Sequence, residues 1–272
     1  MKKLLAIILC LAMLFALAAC GSTNTASTDK ADGAEKKETI IVGHTIYKPM
    51  NYLDDKGELI GYDTELAEKI FSNLGYNVVF KEIKWENKYT DLNSGTIDCI
   101  WNGFTSNGSD DGVARAELVD FSYNYMENRQ VVVAKTSSNI AAKEDLIGKI
   151  GDAEIGSAGE SYAKDFGEII FKGATKQTDC LLSVKTGNAD FAVVDAQLAK
   201  NYCGKGDYAD LAIIDALSSD VEFYAIGFKK GSDLTAKVNA QLEAMAADGS
   251  LAALAEKYDV ATTTITDFSD QK

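Results

Sequence analysis

Between Asp91 and Gln130 the chain sets an apolar segment, Thr96-Ile97-Asp98-Cys99-Ile100-Trp101, directly before Asn102-Gly103-Phe104-Thr105, and places Arg115 shortly before Phe121-Ser122 and Tyr125. These residue types can grip a small anion. A guanidinium is a planar fork of donors that holds a carboxylate through two parallel hydrogen bonds, which a lysine does not reproduce. Asn102, Gly103 and Thr105 put small polar groups just past a strand that reads as buried on both faces, where open α/β sheets bind ligands. Taken alone, Arg115 could equally be a solvated surface arginine. Its neighbours favour the clamp.

The elements that must position these residues alternate. Thr39 to Gly43 reads as a strand. Asp63 then reads as the cap of a helix whose apolar residues Leu66, Ala67, Ile70, Phe71 and Leu74 share one face before Gly75 stops it. Asn77 to Lys81 is a second strand, a helix-like stretch precedes Leu92, and Gln130 to Ala134 is a further strand. The alternation restarts with a strand and Gly-rich turn over Leu146 to Ile155, helices at Ser161 to Phe166 and Thr178 to Thr186, and a buried strand at Phe191 to Val194. Glu222 to Phe228 is strand-like, Leu234 to Ala247 is an amphipathic helix ended by Gly249, and a short helix runs through Leu251, Leu254 and Tyr258. Strand and helix in alternation give α/β layers.

Lys2-Lys3 and the uncharged run Leu4 to Ala19 fit the basic and apolar parts of a secretory signal, and at about 16 residues the run is short for a membrane span. Leu17-Ala18-Ala19-Cys20-Gly21 resembles a bacterial lipobox, so residues 1–19 are expected to be a signal peptide and Cys20 the lipidated first mature residue. Residues 20–38 are Ser/Thr/Ala/Asp/Lys-rich without apolar period and read as a flexible leash. Loss of Lys2 and Lys3 turns 27 basic against 41 acidic residues into 25 against 41, a net charge of −16. Such a surface repels phosphate backbones and argues against nucleic acid.

Five cysteines are too few for a disulfide scaffold in a chain of this length. Cys99 reads as a small buried hydrophobe, and Cys180 and Cys203 could pair in an oxidising compartment. The single His44, with no CxxC or HExxH, gives no metal site. No cofactor is expected. About 234 residues follow the leash, enough for two lobes.

Five blocks in order then resemble the polar amino-acid binding proteins of ABC importers, the family 3 extracellular solute-binding proteins: Ile46-Tyr47-Lys48-Pro49-Met50; Gly57 to Asp63; Leu92 to Asp98; Trp101 to Thr105; and Arg115 with Phe121-Ser122 and Tyr125. Asp190 to Asp195, Asp248-Gly249 and Glu127-Asn128-Arg129-Gln130 reinforce it, and the resemblance covers roughly residues 39 to 259. It implies a two-lobed α/β periplasmic-binding-protein-like fold of type II, with the ligand between lobes joined by two crossover strands. Lobe one would comprise 39–132 plus 224–272 and lobe two 133–223, with crossovers near Val132 to Lys135 and Glu222 to Ala225.

Carried over residue by residue, Arg115 matches the arginine that binds the ligand α-carboxylate and Asp195 the acid that binds its α-ammonium. Tyr47 and Trp85 fall where the family stacks aromatic rings on the ligand side chain, and Asn102, Gly103 and Thr105 match its small polar and backbone contacts. Ser157 and Gly156 would present a hydroxyl and backbone donors at a helix N-terminus. The resemblance makes the chain a non-enzymatic, lipid-anchored importer component, expected as a monomer, that captures a free amino acid and delivers it to ABC permease subunits outside the membrane.

Two segments depart from the pattern. Ser106 to Ala114 is longer and richer in Gly and Asp than the family's turn, so the register of Arg115 rests on its spacing to Phe121-Ser122. Gly151 to Gly159 replaces an apolar strand and polar Gly-Ser loop, and its Glu154 is either a solvent-facing strand residue or, facing the cleft, a selector of a cationic or amine-bearing side chain. Two other classes stay open: an enzyme like the cyclohexadienyl dehydratases on this fold, and a sensor that shows its loaded form to a receptor.

Overall fold

The computed structural model describes residues 38–272. The expected signal peptide, Cys20 and nearly all of the leash lie outside the described residues. Two five-stranded sheets carry the chain. In the first, Asn77–Glu82, Thr39–His44 and Cys99–Ile100 run parallel, and Gly227–Phe228 and Asp120–Phe121 complete the order antiparallel. In the second, Ile170–Ala174, Ile150–Glu154 and Phe191–Asp195 are parallel, while Gln130–Lys135 and then Leu211–Ile214 add antiparallel. Phe191–Asp195 is buried at all five positions, as a central strand covered on both faces requires.

The helix Tyr62–Asn73 buries Leu66, Ala67, Ile70 and Phe71, the stripe read from the sequence, and shares one core with Val238, Leu242 and Met245 of Leu234–Ala247. Its start differs from expectation. Gly61, at φ 136°, is the N-cap residue, while Asp63 sits inside the first turn, fully buried. The Asp63 carboxylate turns to a tertiary task instead, accepting from Tyr125 Oη and Gly103 N, each at 2.9 Å.

Val132 to Lys135, expected near one crossover, lie within Gln130–Lys135, an interior strand of the second sheet. Its consecutive buried valines pair with Phe191–Asp195 and suit that position. Between the sheets lies a two-stranded ribbon, Met126–Asn128 against Glu222–Tyr224. Ala158–Lys164 begins three residues before the expected helix because Ser157 caps it, accepting from Glu160 N at 3.1 Å. The strands Ile170–Ala174 and Leu211–Ile214 were not read from the sequence. Cys99, Cys180 and Cys203 are all free, so the Cys180–Cys203 pair is not formed.

Candidate functional site

Trp85, Asn102, Gly103, Thr105 and Arg115 come from the first sheet's side, and Glu154, Ser157, Ala158, Gln177 and Asp195 from the second. Together they line a narrow cavity of about 10 Å³ between the two sides. Seven of the eight binding residues expected from the sequence line it. Tyr47 does not. It is tied to Asn51 through both backbone bonds of a tight turn and is buried in the first core, with its hydroxyl behind Gly103.

Arg115 opens a four-residue helix and is 1% exposed, so the surface reading fails. Its Nε and Nη2 donate to Asp110 Oδ1 at 3.1 and 2.8 Å, and Nη1 donates to Thr105 O at 3.2 Å. The guanidinium also lies over the Phe104 ring, 5.3 Å from its centroid. The unusual segment after Thr105 supplies this anchor. Ser109–Asp110 and Val113–Ala114 form a hairpin turned at Asp111 (φ 50°) and Gly112 (φ 79°), and Asp-Gly favours such a turn because both residues tolerate the left-handed region.

Lys88 completes this wall. It is 2% exposed, and its Nζ lies 3.2 Å from Asp110 Oδ2 and donates to Gly156 O of the opposite side at 2.8 Å. Burial, and then neighbouring Arg115, pull its ammonium down to about 8 against the support of Asp110. For Asp110 burial acts upward, but Arg115 and Lys88 prevail and hold its carboxyl below the usual range. Lys176 and Glu82, 2.5 Å apart, make a second contact between the two sides.

The backbone of the wall is fixed from behind. Asn102 Oδ1 accepts from Thr45 Oγ1 at 2.6 Å, and its Nδ2 donates to Thr45 O and Asn51 Oδ1. Its side chain therefore pins the loop, leaving backbone to face the cavity. Gly103 is at φ 57°, and a Cβ there would sit 2.0 Å from Tyr47 Oη, so only glycine admits both the conformation and the approach.

On the other side Asp195 ends its strand. It occupies the N-cap position of Ala196–Tyr202 but makes no capping bond. Its Oδ1 accepts from Asn128 Nδ2 (2.9 Å) and Gln130 Nε2 (2.5 Å), and its Oδ2 from Gln177 Nε2 (2.5 Å). The same two amides donate to Glu222 Oε1 at 2.6 and 2.7 Å, which brings the two carboxylates together. Burial raises the Asp195 carboxyl despite these amides, and burial with the charge of Asp195 lifts Glu222 to about 7.

Glu154 faces the cavity, 3% exposed, and its Oε1 has no hydrogen-bond partner among the described residues. Burial and then Asp195 raise its carboxyl well above the usual range. Ser157 also lines the cavity, but the Gly156 N–H is spent on Glu160 Oε2 at 2.6 Å. Lys88, Asp110, Asn128, Gln130, Gln177 and Glu222 were not expected at the site. Only Asp-Gly, a hairpin signal, could have pointed to Asp110. The amides and Glu222 come from separate segments and leave no local signature.

Two α/β lobes, with a polar cavity between them framed by an arginine and an aspartate on opposite sides, define a periplasmic-binding-protein-like fold of type II. The chain belongs to the bacterial extracellular solute-binding proteins, family 3, whose model matches residues 40–261. It is 30% identical to the arginine-binding extracellular protein ArtP of Bacillus subtilis (strain 168) over 95% of this chain and 98% of that one. It is 31% identical to the L-cystine-binding protein TcyA of the same organism over 95% and 97% of the two chains. Among solved structures, an ancestral arginine-binding protein bound to arginine matches with TM-score 0.73 and 31% identity, covering 82% of this chain and 98% of that one. An ABC uptake transporter substrate-binding protein from Streptococcus pneumoniae with bound histidine matches with TM-score 0.73 and 30% identity, covering 82% and 94%.

Proposed function

We propose that this protein captures a free amino acid between its lobes and hands it to the permease of an ABC importer. The observation that carries the reading is the pairing of Arg115 and Asp195 on opposite walls of one enclosed cavity. An amino-acid backbone is a zwitterion. Arg115 takes its carboxylate and Asp195 its ammonium, so binding also draws the lobes together and marks the loaded state for the transporter. Charged hydrogen bonds contribute roughly 1.5–3 kcal/mol each, and several reach the roughly 8 kcal/mol of micromolar affinity.

The relatives named for arginine and cystine have ligands that share this backbone, which supports the class. Arg115 and Asp195 are both accounted for by ligand recognition, which favours a carrier over an enzyme. The lobes divide near the Met126–Asn128 and Glu222–Tyr224 ribbon, and Cys20 tethers the protein to the outer side of the membrane.

A thermal-shift screen of the purified protein, stripped of carried-over ligand, against the common amino acids tests this reading. Stabilisation by one or a few of them is expected, and none by any would overturn it. In the same preparation prephenate should persist unchanged. Cys20→Ala should move the protein from the membrane to the soluble fraction, and unchanged anchoring would remove the lipid claim.

A further inference from the structure

We infer that the ligand is an amino acid whose side chain ends in a cation, and that Glu154 is the residue that selects it. The inference rests on the amino-acid reading above and extends it to the side chain.

With Arg115 and Asp195 assigned to the two ends of the zwitterion, one charged side chain of the cavity lining is left over, and it is Glu154. Its Oε1 is buried without a partner, and a buried acceptor left unmatched is costly. The groups facing Glu154 offer little relief. Gln177 is a neutral amide that Glu154 shares with Asp195, Asp195 and Asp179 are of like charge, and Lys88 is engaged by Asp110 and Gly156 O. A ligand ammonium or guanidinium would supply both the missing donor and the missing charge.

The charge count of the whole site agrees. In and just behind its walls stand two cations, Arg115 and Lys88, and five carboxyl groups, Asp63, Asp110, Glu154, Asp195 and Glu222. A net zwitterionic ligand leaves that imbalance unchanged. A cationic side chain reduces it. Trp85, on the opposite wall, lines the same cavity, and its ring already attracts one cation, the Lys88 ammonium 5.4 Å from its centroid.

The approach is acidic as well. Outside the cavity, the space between the hairpin and the Ala158–Lys164 helix is lined by Glu86, Asp111 and Asp165, which form no ion pair among the described residues. Charge of one sign around a cleft raises the local concentration of the opposite charge and the association rate. Glu154 provides the selection and the vestibule assists capture.

Calorimetry on the purified, ligand-stripped protein with arginine, lysine, citrulline, glutamine and glutamate tests this. Citrulline matters most, because it keeps the shape of arginine and lacks the charge. Arginine or lysine should bind roughly 30-fold or more tightly than citrulline or glutamine, the size expected for a desolvated charge pair. Glu154→Gln should reduce that ratio to within about threefold.

Equal wild-type affinity for arginine and citrulline overturns the inference whatever the variant does. An unchanged preference in a folded Glu154→Gln protein overturns the role of Glu154. Binding of neutral or anionic amino acids alone would sink the cation claim and leave amino-acid capture standing. No binding of any amino acid would sink both.

Discussion

On the Arg115 wall the buried cations are matched, Arg115 and Lys88 both meeting Asp110. On the facing wall Asp195 and Glu222 meet neutral donors, and Glu154 Oε1 has no partner among the described residues. A buried charge is tolerated when paired and hydrogen-bonded. The first wall is therefore a finished structure that can keep its guanidinium in one orientation before a ligand arrives. The second is incomplete, its carboxylates held by neutral donors, and it gains most from what the ligand brings. One wall positions, and the other waits.

Breaking the finished wall at its centre should have the largest effect. Arg115→Ala removes the fork and two or more charged hydrogen bonds to the ligand, roughly 3–6 kcal/mol, so binding should weaken beyond about a hundredfold. Circular dichroism should show the fold retained. Near-native affinity in a folded Arg115→Ala protein would refute the assignment of the two walls.

Removing only the anchor is a finer cut. Asp110→Asn keeps the guanidinium but loses the charge that holds it, and affinity should fall about tenfold, with part of the loss appearing as lower thermal stability. If Asp110 instead competes with the ligand for Arg115, the same substitution tightens binding, and calorimetry distinguishes the two by sign.

The smallest effect concerns what stands behind the first wall. Burial lifts Asp63 from 3.8 to about 7, although Tyr125 and Gly103 donate to it. Its folded pKa lies above the ordinary one, so the folded state holds this proton more tightly than the unfolded chain does. The stabilisation is complete below about pH 4 and is lost as pH rises toward 7. Glu222, also at about 7, acts in the same window, and Asp110, held low, acts oppositely in acid. Melting temperature should peak under mildly acidic conditions and decline toward pH 7, and Asp63→Asn should flatten that decline. A melting temperature that rises steadily from pH 5 to 8 would refute it.

The two walls also differ in how far the sequence revealed them. Arg115 was legible through its spacing to Phe121, and Trp101 to Thr105 through a strand that stops at small polar residues. The valine-rich strands and the Leu234–Ala247 helix declared themselves by composition and period. Ile170–Ala174 did not, because its residues are half-buried or exposed and leave no alternation to read. Asp63 misled for a related reason. Capping is a local preference, and a fully buried tertiary role displaced it. The amide cluster around Asp195 joins residues 128, 130, 177 and 222, and no single-segment pattern encodes such a meeting.

Gly103 and Gly112 share a left-handed backbone, but Gly112 has open space where a Cβ would go and Gly103 has the Tyr47 hydroxyl 2.0 Å away. The two positions therefore set different limits on variation. An asparagine at the hairpin tip would meet only modest backbone strain, so the inserted loop can drift in sequence while its reach is preserved. Position 103 has no such freedom while the Tyr47 hydroxyl and the Tyr224 ring stand against it, so the wall tolerates no side chain at the point where the hairpin tolerates many.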